Sequence, residues 1–278
     1  MILNNKGESK VIGSYTEEQK RVLENLAAGI KNDEEENGAP IAAQYISEGK
    51  GSFDGCIRNL RSLHSYKAIY AWFAKYNLEE FKLQASISNK LHYIHCVEVE
   101  PRGMTKEADY FLGLLSDYEP MIRWMMELQP GSAQGIKWIN NPKEHFFRHW
   151  QMTLAVRGDW TALRQRAELF LSDVPTKMKK FAVDQRFYLA LSQGDQAGMQ
   201  VALEELVSPK VAKVRNEVFE LAFPSAFISC YATMYAKIAW RHGYQVKLDT
   251  PLIPAEWLPV SPLDTYPDPY EFMQKYVI

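Results

Sequence analysis

His145 and His149 stand four residues apart in a stretch of helical periodicity, a spacing that turns both imidazoles to one side of a helix and suits a zinc ion. A zinc hydrolase of the common helical type needs glutamate directly after the first histidine, but Phe146 stands there and no third ligand follows. His92, His95 and Cys96 gather soft donors at i, i+3 and i+4, again too few for a complete site. Gly49-Lys50-Gly51-Ser52-Phe53-Asp54-Gly55 has the glycine density of a phosphate-binding loop, yet its third glycine is displaced and no apolar strand precedes it. There is no Gly-x-Ser-x-Gly elbow, and Cys56, Cys96 and Cys230 sit in no recognised nucleophile setting. The chemistry-bearing residues therefore define no reaction centre. The chain is read as a non-enzyme, with neither metal nor other cofactor expected.

The elements that would position any site are helices. Thr16-Glu17-Glu18-Gln19 is a capping box, in which threonine and glutamine reciprocally satisfy free backbone donors, and Val22, Leu23, Leu26, Ala27 and Ile30 follow at helical spacing. Asp33 to Glu36 are four like charges and predict a solvated loop from Lys31 to Gly38. Helices are then expected over Pro40–Glu48, Cys56–Tyr76, Leu78–Val99, Thr105–Ser116 and Pro120–Leu128. Pro130-Gly131-Ser132 is a break, and Asn141-Pro142 opens the next helix, running to Arg157. Trp72, Phe73, Phe146, Trp150, Phe187 and Tyr188 fall at helical spacing and are assigned to the core. The uncharged stretch Leu221–Ala236 is too short to span a bilayer and reads as a buried helix opened at Pro224.

An internal echo organises the second half. Leu154-Ala155-Val156-Arg157-Gly158-Asp159-Trp160 is matched by Leu189-Ala190-Leu191-Ser192-Gln193-Gly194-Asp195, a spacing of about 36 residues. Glycine accepts the left-handed conformation that ends one helix, and aspartate can accept the first amides of the next. Each copy is thus a helical hairpin. The expected fold is all-α: antiparallel hairpins stacked in a repeat-like, tetratricopeptide-like array, closed by an extended Pro-rich C-terminal tail. One domain, 1–278, is expected, with an N-terminal helix and acidic loop over 1–38, a first helical half over 40–130, a hairpin half over 141–243 and a tail over 244–278.

Composition bounds the partners. The 278 residues are 46% hydrophobic and 24% charged, enough for a packed core, and 32 basic against 34 acidic residues give a net charge of -2. Without a strong positive field, neither nucleic acid nor an anionic membrane is the expected partner. Three scattered cysteines and a polar Met1–Glu8 without an apolar export core predict a reducing, cytoplasmic setting. The tail differs from the rest. Asp249, Glu256, Asp264, Asp268 and Glu271 face Lys275 alone, among Trp257, Tyr266, Tyr270, Phe272 and Tyr276. These rings predict a tail that wraps over the helices, carrying an acidic patch.

From Leu154 onward the chain resembles the immunity protein 49 family of bacterial polymorphic toxin systems. The resemblance rests on the Leu154–Trp160 hairpin, on Ala236-Lys237-Ile238-Ala239-Trp240-Arg241-His242-Gly243-Tyr244-Gln245-Val246, and on Asp249-Thr250-Pro251-Leu252-Ile253-Pro254. It continues through Leu258-Pro259-Val260, Pro262-Leu263, Tyr266 and Tyr270-Glu271-Phe272, covering a little under half the chain. It implies an all-helical antitoxin that binds and occludes a cognate toxin or effector without turnover. An acidic patch on a neutral scaffold suits a basic, nuclease-type toxin, because complementary charge raises the on-rate and specificity. Local charge and aromatics nominate Glu256, Trp257, Asp264, Tyr266 and Asp268 as the toxin-binding set. The alternative reading is a helical-repeat adaptor or regulatory module that holds a peptide.

Overall fold

The computed structural model describes residues 2–3, 9–10, 15–35, 38–99, 107–130, 132–217, 219 and 222–278. Most of the Met1–Glu8 segment, together with Glu36, Thr105, Gly131 and Leu221, lies outside them. The described chain is a helical array, with one two-residue ladder, β1 (Ile2–Leu3) antiparallel to β2 (Ser9–Lys10). It forms two compact units that do not follow sequence order. The first comprises 1–101, 115–121 and 261–278, the second 102–114 and 122–260.

The first unit is built on α1 (Glu17–Glu35), α2 (Gly38–Glu48), α3 (Phe53–Phe73) and α4 (Leu78–Glu98). The capping box forms as its sequence predicts: the Thr16 amide donates to Gln19 Oε1 at 3.0 Å and the Gln19 amide to Thr16 Oγ1 at 3.2 Å. The acidic run after Ile30 is not the predicted loop, because α1 continues through Glu35. Two of its charges are offset: Lys67 reaches Glu34 at 2.5 Å and Lys31 reaches Glu35 at 3.6 Å. Ile57, Leu60 and Leu63 of α3 meet Ile87, Leu91 and Ile94 of α4, and the tail adds Phe272, Met273 and Tyr276 to the same core.

The second unit contains α7 (Ala133–Ile139), α8 (His145–Arg157), α9 (Trp160–Ser172), α10 (Ala182–Gln193), α11 (Gln196–Leu206), α12 (Pro209–Asn216), α13 (Ala222–Ser225) and α14 (Cys230–Arg241). Helices α5 (Glu107–Ser116) and α6 (Glu119–Glu127) precede them. Both Gly-Asp hairpins are present. Gly158 (φ 80°) and Gly194 (φ 68°) adopt the left-handed conformation, and the following Asp159 and Asp195 amides donate five residues back, to Leu154 and Ala190 carbonyls. Asp195 caps α11 by accepting from the Gly198 amide at 2.9 Å, whereas the Asp159 side chain makes no cap bond and lies 3.7 Å from Arg157. His242 and Tyr244 pack on the two glycines, so the His242-Gly243-Tyr244 turn touches both hairpins. A Cβ at Gly194 would stand 3.0 Å from the Tyr244 hydroxyl.

Three boundaries differ from expectation. The break after Pro130 holds a further helix, α7, whose Ser132 cap accepts from the Gly135 amide at 3.0 Å. Helix α8 begins at His145, because the Asn141 side chain turns back to accept from the Lys143 amide at 3.1 Å and closes a turn ahead of it. The apolar stretch after Pro224 splits into α13 and α14, because the Ser229 amide leaves the helix for the Leu252 carbonyl at 2.9 Å.

The tail is extended between short 3-10 turns at Ala255–Trp257 and Glu271–Lys275. Its carbonyls have no ladder partners, and buried lysines serve them instead. In the second unit, fully buried Lys237 donates to the Trp257 and Pro259 carbonyls, both at 2.9 Å. In the first, buried Lys82 donates to the Ser261 carbonyl at 2.5 Å and pairs with Asp117 at 2.8 Å.

Candidate functional site

The residues that could do chemistry are occupied in structural roles. His95 Nε2 lies 2.6 Å from Asp54, whose carboxyl is held below the usual range by Arg58 first and by His95 second. His92 is buried 3.7 Å from the Cys96 sulfur, on the same helix. Burial pushes the Cys230 thiol well above its ordinary value, so it carries no thiolate nucleophile. His145 and His149 meet ring to ring, with centroids 5.2 Å apart. Among the described residues, no three His, Cys, Asp or Glu side chains converge to hold a metal ion.

Burial strongly perturbs His64. Gln84 Nε2 donates to Glu80 at 2.8 Å, which turns its Oε1 toward His64 Nδ1 at 2.5 Å, while the Tyr270 hydroxyl lies 2.9 Å from His64 Nε2. That order makes Nδ1 the donor to Gln84 and Nε2 the acceptor from Tyr270. Burial holds the imidazole down at about 4, opposed by the Gln84 hydrogen bond. The relay thus joins α3, α4 and the tail around a neutral histidine.

An open groove of about 350 Å³ runs along α1 and α3, with Ala27, Ile30 and Ala71 among its lining residues. Its cations Lys31 and Lys67 are paired with Glu35 and Glu34, and Lys75 rests 5.5 Å from the Tyr70 ring centre. Paired opposite charges give no single-sign field that would collect an anion.

The nominated tail residues divide between the units. Glu256 and Trp257 belong to the second, and Asp264, Tyr266 and Asp268 to the first. Trp257 is 0% exposed and packs edge-on to Phe111, so its ring is core and offers nothing to a partner. Its nomination as a toxin-binding ring is corrected here: the 3-10 turn after Pro254 rotates Trp257 inward while its carbonyl takes the Lys237 ammonium. Glu256 is half-buried. Tyr266 donates its hydroxyl to the Ser116 carbonyl at 2.7 Å and accepts from the Leu263 amide at 2.8 Å. Asp268 is held by Lys90 at 2.7 Å, which offsets its charge. Asp264 is exposed and has no ion-pair partner among the described residues.

One surface went unnoticed in the sequence. Of the seven tryptophans only Trp138 is exposed, at 39%, and Ile136 beside it is 51% exposed. Phe146, expected in the core, is half-buried and stacks on Trp138 at 5.1 Å and 11°. Its other face meets His145 at 4.2 Å. Arg166 of α9 fixes this ledge by donating to the Ile139 carbonyl, to Phe147 O at 3.1 Å and to Asn140 Oδ1 at 3.1 Å. Its guanidinium lies over the Phe147 ring at 4.1 Å. The other five residues assigned to the core from spacing are all buried.

Each unit is thus a helical scaffold, with the buried pairs Lys82–Asp117 in the first and Asp184–Arg215 in the second engaged internally. A family model described as Immunity protein 49 matches residues 67–257, which takes in α4, both Gly-Asp hairpins and α14. No curated protein and no solved structure matches the chain. No helix among the described residues is long and apolar enough to cross a membrane. The match spans most of the chain, and the chain belongs to the immunity protein 49 family.

Proposed function

We propose that this protein is a cytoplasmic immunity protein that neutralises a cognate bacterial toxin by non-catalytic occlusion. The family match over 67–257 carries this reading. Two features are consistent with it: His64 and the Asp184–Arg215 pair are engaged internally, and the Trp138–Phe146 stack presents an aromatic surface of the kind that serves binding. We further propose a nuclease-type toxin with a basic face. Asp264 and Glu271, both exposed on the first unit, and Asp249, exposed on the second, are the tail carboxylates available to it. Of the residues nominated from sequence, Asp264 is then the principal contact. Glu256, Tyr266 and Asp268 serve by shaping the tail, and Trp257 by anchoring it.

Co-expression with the toxin encoded beside this gene tests the reading. The wild type restores growth to cells producing that toxin. Asp264→Lys combined with Glu271→Lys slows association at low salt by about tenfold, an effect that fades as ionic strength rises. Cells that die equally with and without this protein would refute the function, and unchanged association kinetics in the double variant would refute the tail contact alone.

A further inference from the structure

We propose that the ledge formed by α7 and the start of α8 docks a carboxylate-bearing, apolar segment of the toxin, with Trp138 as its anchor. The proposal rests on the immunity reading and deepens it by assigning a surface and the chemistry of the segment received there. A seven-residue helix has no stability of its own and is normally held by burying an apolar face. Helix α7 buries only Gly135 and Ile139 and turns Ile136 and Trp138 to solvent. Its position comes instead from Arg166, whose donors hold the Ile139 and Phe147 carbonyls and Asn140, and from Asn140 Nδ2, which donates to the Ile136 carbonyl at 3.0 Å. An apolar surface held rigid in advance pays little ordering entropy when a partner covers it, and exposed tryptophan is among the side chains that dominate such interfaces.

Charge selects the occupant. Between Ser132 and Phe146 the exposed Lys137 and Lys143 stand close in sequence to Trp138 and Phe146 respectively, with Glu144 as the one carboxylate of the segment. Neither lysine has a carboxylate partner among the described residues. A second copy of this chain would bring the same lysines against themselves. A segment with an aliphatic or aromatic residue between aspartates or glutamates covers the exposed Trp138 and Ile136 and offsets both ammonium groups. This requirement differs from the basic face proposed for the tail carboxylates, so the ledge meets a different part of the toxin.

The test uses the full-length protein and the purified toxin encoded beside this gene. Trp138→Ala is expected to weaken the complex by about 30-fold, mainly through faster dissociation. Lys137→Glu with Lys143→Glu is expected to slow association about tenfold at low salt. Both variants melt as the wild type does, since all three side chains are exposed. A wild type that binds while both folded variants bind equally well overturns the ledge assignment alone. A wild type that binds no toxin removes the immunity reading and this assignment with it. Sedimentation showing a wild-type dimer that Trp138→Ala dissolves would make the ledge a self-association face and also overturn the proposal.

Discussion

Replacing Asp184 with alanine lowers the stability of the second unit by roughly 3–5 kcal/mol, the usual consequence of stranding one charge of a buried pair. Arg215 and Asp184 are both fully buried and meet at 2.7 Å. The guanidinium lies 4.4 Å from the Phe181 ring centre and 4.0 Å from that of Tyr231. Removing the carboxylate leaves a cation that cannot be deprotonated in an apolar enclosure. The melting temperature of this unit should fall by on the order of 10 °C. Asp184→Leu with Arg215→Met removes both charges and replaces the enclosed volume with apolar atoms, so the double variant should be more stable than either single one. A thermodynamic cycle from urea denaturation measures this coupling. Strictly additive losses, to within about 0.5 kcal/mol, would show that the two groups contribute independently.

Acid should loosen the first unit well before its carboxylates titrate. The imidazole of His64 is held at about 4 in the folded protein against an ordinary 6.5, chiefly by burial. An unfolded chain therefore takes up a proton that the folded chain refuses. The stability contributed by the neutral ring is fully present above about pH 6.5 and is lost as pH falls toward 4, by roughly 3 kcal/mol in all. Lys67 adds to the depression and Glu34 opposes it, so both face the same titration. His242, in the second unit, is also lowered by burial and makes that unit acid-sensitive in the same direction. Comparison with His64→Asn separates the two, because the variant should lose less stability between pH 6.5 and 4 than the wild type does. Since His64 bridges Gln84 and Tyr270, amide exchange around Tyr270 should accelerate over the same interval in the wild type. Parallel pH profiles for the two proteins would contradict this assignment.

What could be read from residues alone was local. The capping box at Thr16 and Gln19 is complete within four residues, and the left-handed turns at Gly158 and Gly194 need nothing beyond glycine's freedom at positive φ. The buried rings at Trp72, Trp150 and Phe187 followed from periodicity. What escaped was set by partners distant in sequence. Asp268 looks like a free charge until Lys90, 178 residues away, is seen to hold it. Composition predicts that the rings of the Pro-rich tail dock on the helices but not which of them is wholly enclosed, so Trp257 reads equally as an anchor and as a contact. Helix α7 was hidden by the punctuation on both sides of it, Pro130 before and Asn141-Pro142 after, and seven residues are too few for a periodic pattern to declare itself. With α7 unseen, Trp138 had no face to be assigned to, and Phe146 was placed in the core by its spacing.

Neutralisation by occupancy, as proposed, is stoichiometric, and titration of toxin activity with this protein measures that stoichiometry. With the toxin held well above the dissociation constant, activity should fall linearly and vanish at a fixed small whole-number ratio, with the toxin recovered chemically unaltered after the complex is dissociated. Complete inactivation by a small fraction of an equivalent, or a toxin that stays covalently changed after separation, would mean that the protein acts catalytically and would contradict the account.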